Sequence, residues 1–342
     1  MLAKELGLSV STISKAIRDS HEISDSTKER VKALVQKLNY IPNPYASSLG
    51  SRNSKTIGVV LPEVTDSFFA QAINGIETVA QEKGYHVLIY LTHESFEREK
   101  KILKDFESGR VDGVLLSISK ETIQCHHIDA LMNKGIPLVF FDRVLDEVAT
   151  TKIITNDYDS AYMATTHLIK NGCKNILFLS FSNTLSIFNK RLYGYKNALF
   201  ENDLKFTANN ILTFSNDPKK DYLLLKKKLQ SPKRPDGILA SVEKLALPVY
   251  QACEALQLNI PGDIQVICFS NVDTASFLNP PLTTITQPAF EMGKAAAFIL
   301  VKALKRKNFE LVDEEIIIPS ILTGRKSTES ITGFLKMDLI LQ

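Results

Sequence analysis

The sequence predicts an α/β protein: a core of parallel sheets in two lobes, preceded by a small all-α unit. Three observations carry this. From Thr56 onward, short and nearly continuous apolar runs alternate with amphipathic stretches of helical period, the pattern of parallel strands covered on both faces. The strands are too many for one easy sheet, so the core divides into two lobes. Before Thr56, residues 2–38 carry three apolar stripes of helical period instead. A chain of 342 residues is long enough for two or three domains.

The elements follow in order. Leu2, Ala3 and Leu6 share one helix face, and Gly7 ends that helix and can take the positive φ of a sharp turn. Ser9 is a good N-cap for a second helix, which buries Ile13, Ala16 and Ile17. Its other side shows Ser11, Thr12, Ser14, Lys15 and Arg18, hydrogen-bond donors with little negative charge. A helix, a glycine turn and a donor-rich second helix form the helix-turn-helix pattern, whose second helix lies in the DNA major groove. Taken alone, the same serines and threonine are also compatible with plain helix surface. Ile23 packs inward, Ser24 or Asp25 caps a third helix, and Val31, Leu34, Val35 and Leu38 form its buried stripe. Residues 41–55, with Pro42 and Pro44, then a single possible helical turn from Tyr45 to Leu49, then a loose polar stretch, have linker composition.

In the core, strands are predicted at 57–62, 86–91, 112–117, 137–142, 151–157, 175–181, 236–241, 264–270 and 314–320. Helices are predicted at 69–83, 96–108, 121–134, 159–171, 190–201, 243–257 and 289–307. Ligands of doubly wound sheets bind beyond the carboxyl ends of the strands. The loops that follow Pro62, Leu91, Ser117, Asp142, Ser180, Ser241 and Ser270 are therefore the ones to inspect.

Charge is unevenly placed. Residues 1–55 hold nine basic and five acidic residues, a charge of +4, and the rest of the chain carries −1, so the basic excess behind the net +3 lies there, as expected if only that segment meets phosphates. Cys125, Cys173, Cys253 and Cys268 are far apart and form no CxxC pair. With no signal peptide in view, this points to a reducing cytoplasm. No apolar run approaches the roughly 20 residues that span a bilayer, so no membrane partner is expected. Cys125, His126 and His127 have metal-binding atoms, but three adjacent residues do not converge easily, so no metal is expected. No cofactor is expected either: Asp112-Gly113 and Asp236-Gly237 lack the extended glycine pattern of a nucleotide loop. No Ser/His/Asp arrangement stands out, and the chain reads as a non-enzyme. The stretch 219–228, KKDYLLLKKK, reads as a solvated face with an apolar stripe.

Nine segments in a fixed order extend these readings: LAKELGLSVSTISKAI, LNYIPNPYASSL, TIGVVLPEVTDSFF, VDGVLLS, PLVFFDR, NDYDSAYMATTHLI, RLYGYKNAL, IPGDIQVICFSN and PPLTTITQP. On these the chain resembles the lactose-repressor (LacI/GalR) family of bacterial transcription regulators, from Leu2 to about Thr328. The resemblance implies an all-α helix-turn-helix headpiece at 1–40, a hinge helix and linker at 41–55, and a two-lobed, periplasmic-binding-protein-like core of parallel sheets at 56–329. It places the N-lobe at about 56–155 and 284–313 and the C-lobe at about 156–283 and 314–329, with the first crossing near Asn156 and the second near Thr283. Residues 330–342 are a tail outside the family pattern. The implied function is a cytoplasmic, sequence-specific repressor, controlled allosterically by a small molecule, a sugar or sugar derivative, in the cleft between lobes. The implied partners are double-stranded operator DNA, the effector and a second copy of the chain, as a homodimer or a dimer of dimers. A solute-binding protein without DNA binding is the alternative.

Carried over residue by residue, the resemblance puts base reading on Val10, Ser11 and Lys15, phosphate contact on Ser9, Thr12, Ser14 and Tyr40, and the minor-groove hinge on Ser48 and Leu49. It puts effector contacts on the loop Asp66, Ser67, Phe68 and Phe69, on Asp142 and Arg143, and on Arg191, Ser270, Asn271 and Gln287. This chemistry suits a polyol: carboxylates and amides take paired hydroxyls, arginine donates in a fork, and an aromatic ring covers the apolar face of a sugar. Three departures stand out. The family has residues before the position of Leu2 that complete the first helix, and the hinge has Ser47 where a basic residue is common. Where many sugar-binding members have an Asn-Asp pair after the strand at 236–241, this chain has Val242-Glu243.

Overall fold

The computed structural model describes residues 2–17, 19–38, 54–215, 217–305 and 311–328. It divides into two compact units, Met1–Ser54 and Lys55–Gln342. Among the described residues, no helix is long and apolar enough to cross a membrane.

The first unit holds three helices, α1 (Leu2–Leu6), α2 (Val10–Ile17) and α3 (Asp25–Lys37). Leu2, Ile13, Ala16 and Val31 form its buried centre, with Leu6, Ile17, Ile23, Leu34, Val35 and Leu38 packed around it. Gly7 turns the chain with φ +66° in open space, so its backbone conformation, not crowding, calls for glycine. The Ser9 hydroxyl accepts the Thr12 amide at 3.0 Å and caps α2. Ser24 stands at the N-cap of α3, but its hydroxyl makes no cap bond to the backbone. It meets the Thr27 hydroxyl instead, at 2.9 Å.

The second unit is built on two six-stranded sheets. The first runs β11-β5-β4-β3-β1-β2, with β1 Thr56–Leu61, β2 His86–Leu91, β3 Gly113–Leu116, β4 Leu138–Phe141, β5 Lys152–Ile154 and β11 Glu315–Ile317. All its pairs are parallel. The second runs β12-β10-β9-β8-β6-β7, with β6 Ile176–Ser180, β7 Ile211–Thr213, β8 Gly237–Ala240, β9 Gln265–Phe269, β10 Thr283–Thr286 and β12 Ile321–Thr323. It is parallel except for the antiparallel β10–β12 pair. The connecting helices are α4 (Ser67–Lys83), α5 (Phe96–Phe106), α6 (His126–Met132), α7 (Asp157–Lys170), α8 (Ser186–Glu201), α9 (Pro218–Leu229), α10 (Ala246–Ala255) and α11 (Ala289–Lys305). In the first lobe α4 and α11 touch backbone to backbone: a Cβ on Gly75 would lie 2.1 Å from the Phe290 carbonyl oxygen, and one on Gly293 2.1 Å from that of Ala72.

The structure corrects the expected lobe boundaries at two places. Thr283–Thr286 belongs to the second sheet, beside β9, so the chain crosses back after Thr286 and not near Thr283. Thr283 is held there by the Ser327 hydroxyl, at 2.8 Å, and by the Arg325 backbone. Residues 315–317 belong to the first sheet, where Ile316 sits in register with Ile153, and Ile316 and Ile318 pack on that lobe's core. The third crossing therefore follows Ile318, and the 314–329 segment is divided between the lobes. Asn156 ties the first crossing to the third: its side-chain oxygen accepts the Ser320 amide at 2.9 Å.

Several elements also differ from the periodicity reading. The helix expected at 121–134 begins only at His126, because buried Glu99 holds the preceding loop, accepting from the Ser119 amide at 2.7 Å and the Thr122 hydroxyl at 2.9 Å. His127 Nε2 is 2.8 Å from the same carboxylate. The stretch 219–228, read as a solvated face with an apolar stripe, forms part of α9, which Asp217 caps and whose stripe buries Leu225 and Leu229 while Lys219, Lys220 and Lys227 stay exposed.

Candidate functional site

Two sets of residues emerge, one in each unit. The first is the outer face of α2. Ile13 and Ala16 point to the core, which turns Val10, 76% exposed, and the exposed Ser11 and Lys15 outward. Hydroxyls gather at the start of this helix: Ser9 Oγ lies 2.7 Å from Ser11 Oγ and 2.8 Å from Thr12 Oγ1. Ser14 is half-buried on the same helix. A helix N-terminus lined by hydroxyls favours phosphate oxygens, since free amides and the helix dipole both attract negative charge. Lys15 is ion-paired with Glu22, both half exposed. Tyr40, Ser48 and Leu49, expected at phosphate and minor groove, lie outside the described residues, as does the tail 330–342.

The second set lies at the carboxyl ends of the strands in the second unit, where both lobes contribute. Asp66 caps α4, its Oδ1 accepting the Phe68 amide at 3.0 Å. Burial, then the nearby Glu243 carboxylate, pushes Asp66 up to about 6 against the pull of that amide and of Arg143. Phe68 and Phe69 are buried, ring to ring at 5.3 Å. Phe69 also lies beneath the Arg143 guanidinium, 5.7 Å away. Both rings belong to the first lobe's core, so packing alone accounts for most of their surface.

Asp142 follows β4 with φ +62°, a left-handed conformation uncommon for any residue but glycine. Burial pushes its carboxyl up to about 7, with Arg143 and Arg191 pulling down and Asp157 and Asp66 pushing up. Arg143 is buried, and its Nη1 donates to both oxygens of Glu94 at 2.9 and 3.0 Å. From the second lobe, Arg191 is only 2% exposed. Its Nε donates to Asp157 Oδ1 at 2.8 Å, its Nη1 bonds the Ser241 carbonyl, and its plane stacks 3.9 Å from the Phe269 centroid. Burial raises the Asp157 carboxyl although Arg191 opposes it.

Asn271 is the junction of the site. Its Nδ2 donates to the Gln287 carbonyl at 2.6 Å and to Gln71 Oε1 at 2.9 Å, and its Oδ1 accepts the Gln287 amide at 3.1 Å. Gln71 Nε2 in turn donates to the Asn271 carbonyl at 3.0 Å. This amide pair joins α4 of the first lobe to the segment after β9 of the second. Ser270 donates to Glu243 Oε2 at 2.9 Å. Among the described residues, Arg191 Nη2, Ser241 Oγ and Gln287 Nε2 are buried without a hydrogen-bond partner. Asp142, Arg143, Asp157 and Arg191 are buried, and Asp66, Glu94 and Glu243 are half-buried.

Asp142 thus lies among Arg143, Arg191 and Asp66, drawn from both lobes, with Ser270, Asn271 and Gln287 on the second-lobe side. Sequence reasoning left out Glu94, Asp157, Gln71 and Ser241, and treated Glu243 only as a departure. Glu94 follows a strand whose loop was marked for inspection, and like Asp142 it has a positive φ, +63°. No comparable signal marked Gln71, which lies mid-surface on a helix.

A helix-turn-helix unit joined to a bilobal α/β unit with a buried polar cleft defines a class: DNA-binding regulators carrying a solute-binding fold. Residues 2–43 match the model of bacterial regulatory proteins of the lacI family. Residues 54–326 match that of periplasmic binding proteins and the sugar binding domain of the LacI family. The chain belongs to the LacI family, and it is a DNA-binding transcriptional regulator with an effector-binding domain. The ribose operon repressor of Haemophilus influenzae is 32% identical over 307 residues, 90% of this chain and 92% of that protein. The HTH-type transcriptional repressor PurR of Photobacterium profundum is 31% identical over 326 residues, 94% and 97%. The crystal structure of the lac repressor dimer bound to operator and the anti-inducer ONPF has the same fold, with TM-score 0.81 and 23% identity over 96% of this chain and 98% of that one.

Proposed function

We propose that the protein is a cytoplasmic homodimeric repressor, not an enzyme, released from or held on its operator by a sugar or sugar derivative in the cleft. The observation that carries this is the cleft itself: buried charged and amide side chains from two lobes converge on one place, downstream of a DNA-reading helix. Val10, Ser11 and Lys15 read base edges, Lys15 at guanine and Val10 at a thymine methyl. Ser9, Thr12, Ser14 and Tyr40 hold phosphates and set register. Leu49, with Ser48, serves as the minor-groove wedge. Asp66, Asp142, Arg143, Arg191, Ser270, Asn271 and Gln287 contact the effector, and Phe68 and Phe69 back the first-lobe side. The names of the relatives, a ribose operon repressor among them, support a carbohydrate effector.

Gel shifts with DNA from upstream of the protein's own operon test this reading. A sequence-specific shift that weakens with added salt, and that responds to one member of a sugar panel, is expected. A shift indifferent to sequence would overturn the operator reading.

A further inference from the structure

Glu243 belongs to the second lobe, in the turn after β8, yet its carboxylate is gripped from both lobes. The Ser67 amide donates to Oε1 at 3.3 Å, and the Ser67 hydroxyl bonds Oε2. The Ser270 hydroxyl and the Asn271 amide donate to Oε2 at 2.9 and 3.1 Å. Ser67 is the first residue of the 17-residue α4, whose amide end attracts negative charge. Four donors around one carboxylate are what a ligand carboxylate or phosphate would need. Here the place is taken by the chain's own side chain.

The other charges of the cleft agree. Arg143 is engaged by Glu94, Arg191 by Asp157 and Lys244 by Glu63. Asp142 has only Arg143 Nε at 3.8 Å, and Asp66 has no ion pair within 4 Å among the described residues. Carboxylates are in surplus: Glu63, Asp66, Glu94, Asp142, Asp157 and Glu243 stand against Arg143, Arg191, Lys244 and Lys120, whose Nζ lies 5.0 Å over the Phe181 ring. Among the described residues, Arg191 Nη2, Gln287 Nε2 and Ser241 Oγ are left unpaired and can take acceptor oxygens of a ligand, so the selection against anions falls to Glu243 and the surplus carboxylates.

We propose that Glu243 sets the charge of the effector: its carboxylate is the resident occupant of the cleft's anion nest, so the cleft takes a neutral polyol and rejects the uronate or phosphate ester of the same sugar. This rests on the cleft being the effector site.

Thermal-shift titrations of the full-length protein, Glu243→Ala and Glu243→Gln test it. The probes are sodium acetate against sodium chloride at equal ionic strength, D-ribose against ribose 5-phosphate, and D-glucose against D-glucuronate. Acetate is expected to raise the Tm of Glu243→Ala with concentration, by filling the emptied nest, and to leave wild type and Glu243→Gln unmoved. A neutral sugar that stabilises wild type is expected to bind at least tenfold more tightly than its anionic counterpart. That ratio is expected to shrink at least tenfold in Glu243→Ala and to shrink in Glu243→Gln, which keeps the comparison open if the alanine variant does not fold. An anionic sugar that binds wild type as tightly as its parent would overturn the proposal, as would acetate acting equally on wild type and Glu243→Ala. Acetate rescue of Glu243→Ala with no sugar acting on any of the three proteins would overturn the sugar reading and uphold the nest. A sugar stabilising wild type while acetate fails on Glu243→Ala would do the reverse.

Discussion

Lys15 and Asp142 show what a single side chain contributes here. Lys15 is paired with Glu22 at an exposed site, and such pairs contribute about 0–1 kcal/mol. Exchanging Glu22 for a guanine edge would therefore meet little resistance, and the proposed base contact would discriminate by about 1–3 kcal/mol. Lys15→Ala is expected to lose roughly tenfold or more in preference for the operator over a scrambled site, as read by competition gel shifts. A variant that keeps its sequence preference would remove Lys15 from the reading face. Asp142 is a matter of pH. Its folded-state value, about 7, lies above the ordinary 3.8, so the folded protein holds a proton that the unfolded chain has released. The stability this group contributes is full below the ordinary value and is lost as pH rises through about 7. Urea unfolding at pH 5 and pH 8 is expected to show wild type weakening across that interval. In Asp142→Asn the drop is expected to be smaller by an amount on the order of a few kcal/mol, and an unchanged drop would mean that Asp142 is ionised throughout.

Among the elements, α4 and α11 approach backbone to backbone, as α7 and α8 do at Gly194. Gly75 and Gly293 let α4 and α11 meet at distances no Cβ tolerates. Gly75→Ala must push α11 off the sheet or bend α4, at a cost of about 1–3 kcal/mol. Gly262→Ala, where the nearest atom to the new Cβ is an ordinary 3.5 Å away, is expected to stay within about 0.5 kcal/mol. Urea midpoints of the two variants give the comparison, and equal midpoints would deny the crossing its role. Glycine and apolar period made most elements legible in the sequence: α4 ends at Gly84, whose φ is +74°, and buried strands such as Thr56–Leu61 are continuous apolar runs. What stayed hidden depends on partners far along the chain. β7 and β12 have only three residues each and owe their shape to a neighbouring strand. β10 reads TTIT, too polar to announce a buried strand, because Ser327, Arg325 and Thr328 satisfy its threonines. The late start of α6 depends on Glu99, a helix away. The candidate cleft residues came from the family resemblance, and of them Asp66, Asp142, Ser270 and Asn271 also fall in loops that follow predicted strands, whereas Arg191 lies within a helix. The role of Glu243 was not legible, because it requires Ser67 from the other lobe.

For the whole molecule, regulation requires that operator and effector bias one equilibrium in opposite or like directions. The lobes of the second unit are joined by Gln71 and Asn271 through two amide hydrogen bonds, by Ser67 and Glu243, and by the Thr184 hydroxyl on the Lys120 carbonyl at 2.8 Å. These bonds exist only while the lobes are together, so each stabilises the closed form of the cleft relative to the open one. Two neutral hydrogen bonds contribute about 1–3 kcal/mol in net terms, enough to move a balanced equilibrium several-fold. Gln71→Ala removes both from the first-lobe side without touching a charged group. An effector that bridges the lobes favours closure, and the variant favours opening. Effector affinity in Gln71→Ala is therefore expected to fall about 5- to 100-fold. Its effector-free operator affinity is expected to shift in the direction opposite to the shift the effector causes in wild type. The sign of either shift alone depends on whether the effector induces or corepresses, but their opposition does not. Fluorescence anisotropy with operator DNA, with and without effector, measures both, and shifts in the same direction would show that lobe closure is not the step that links the two ligands.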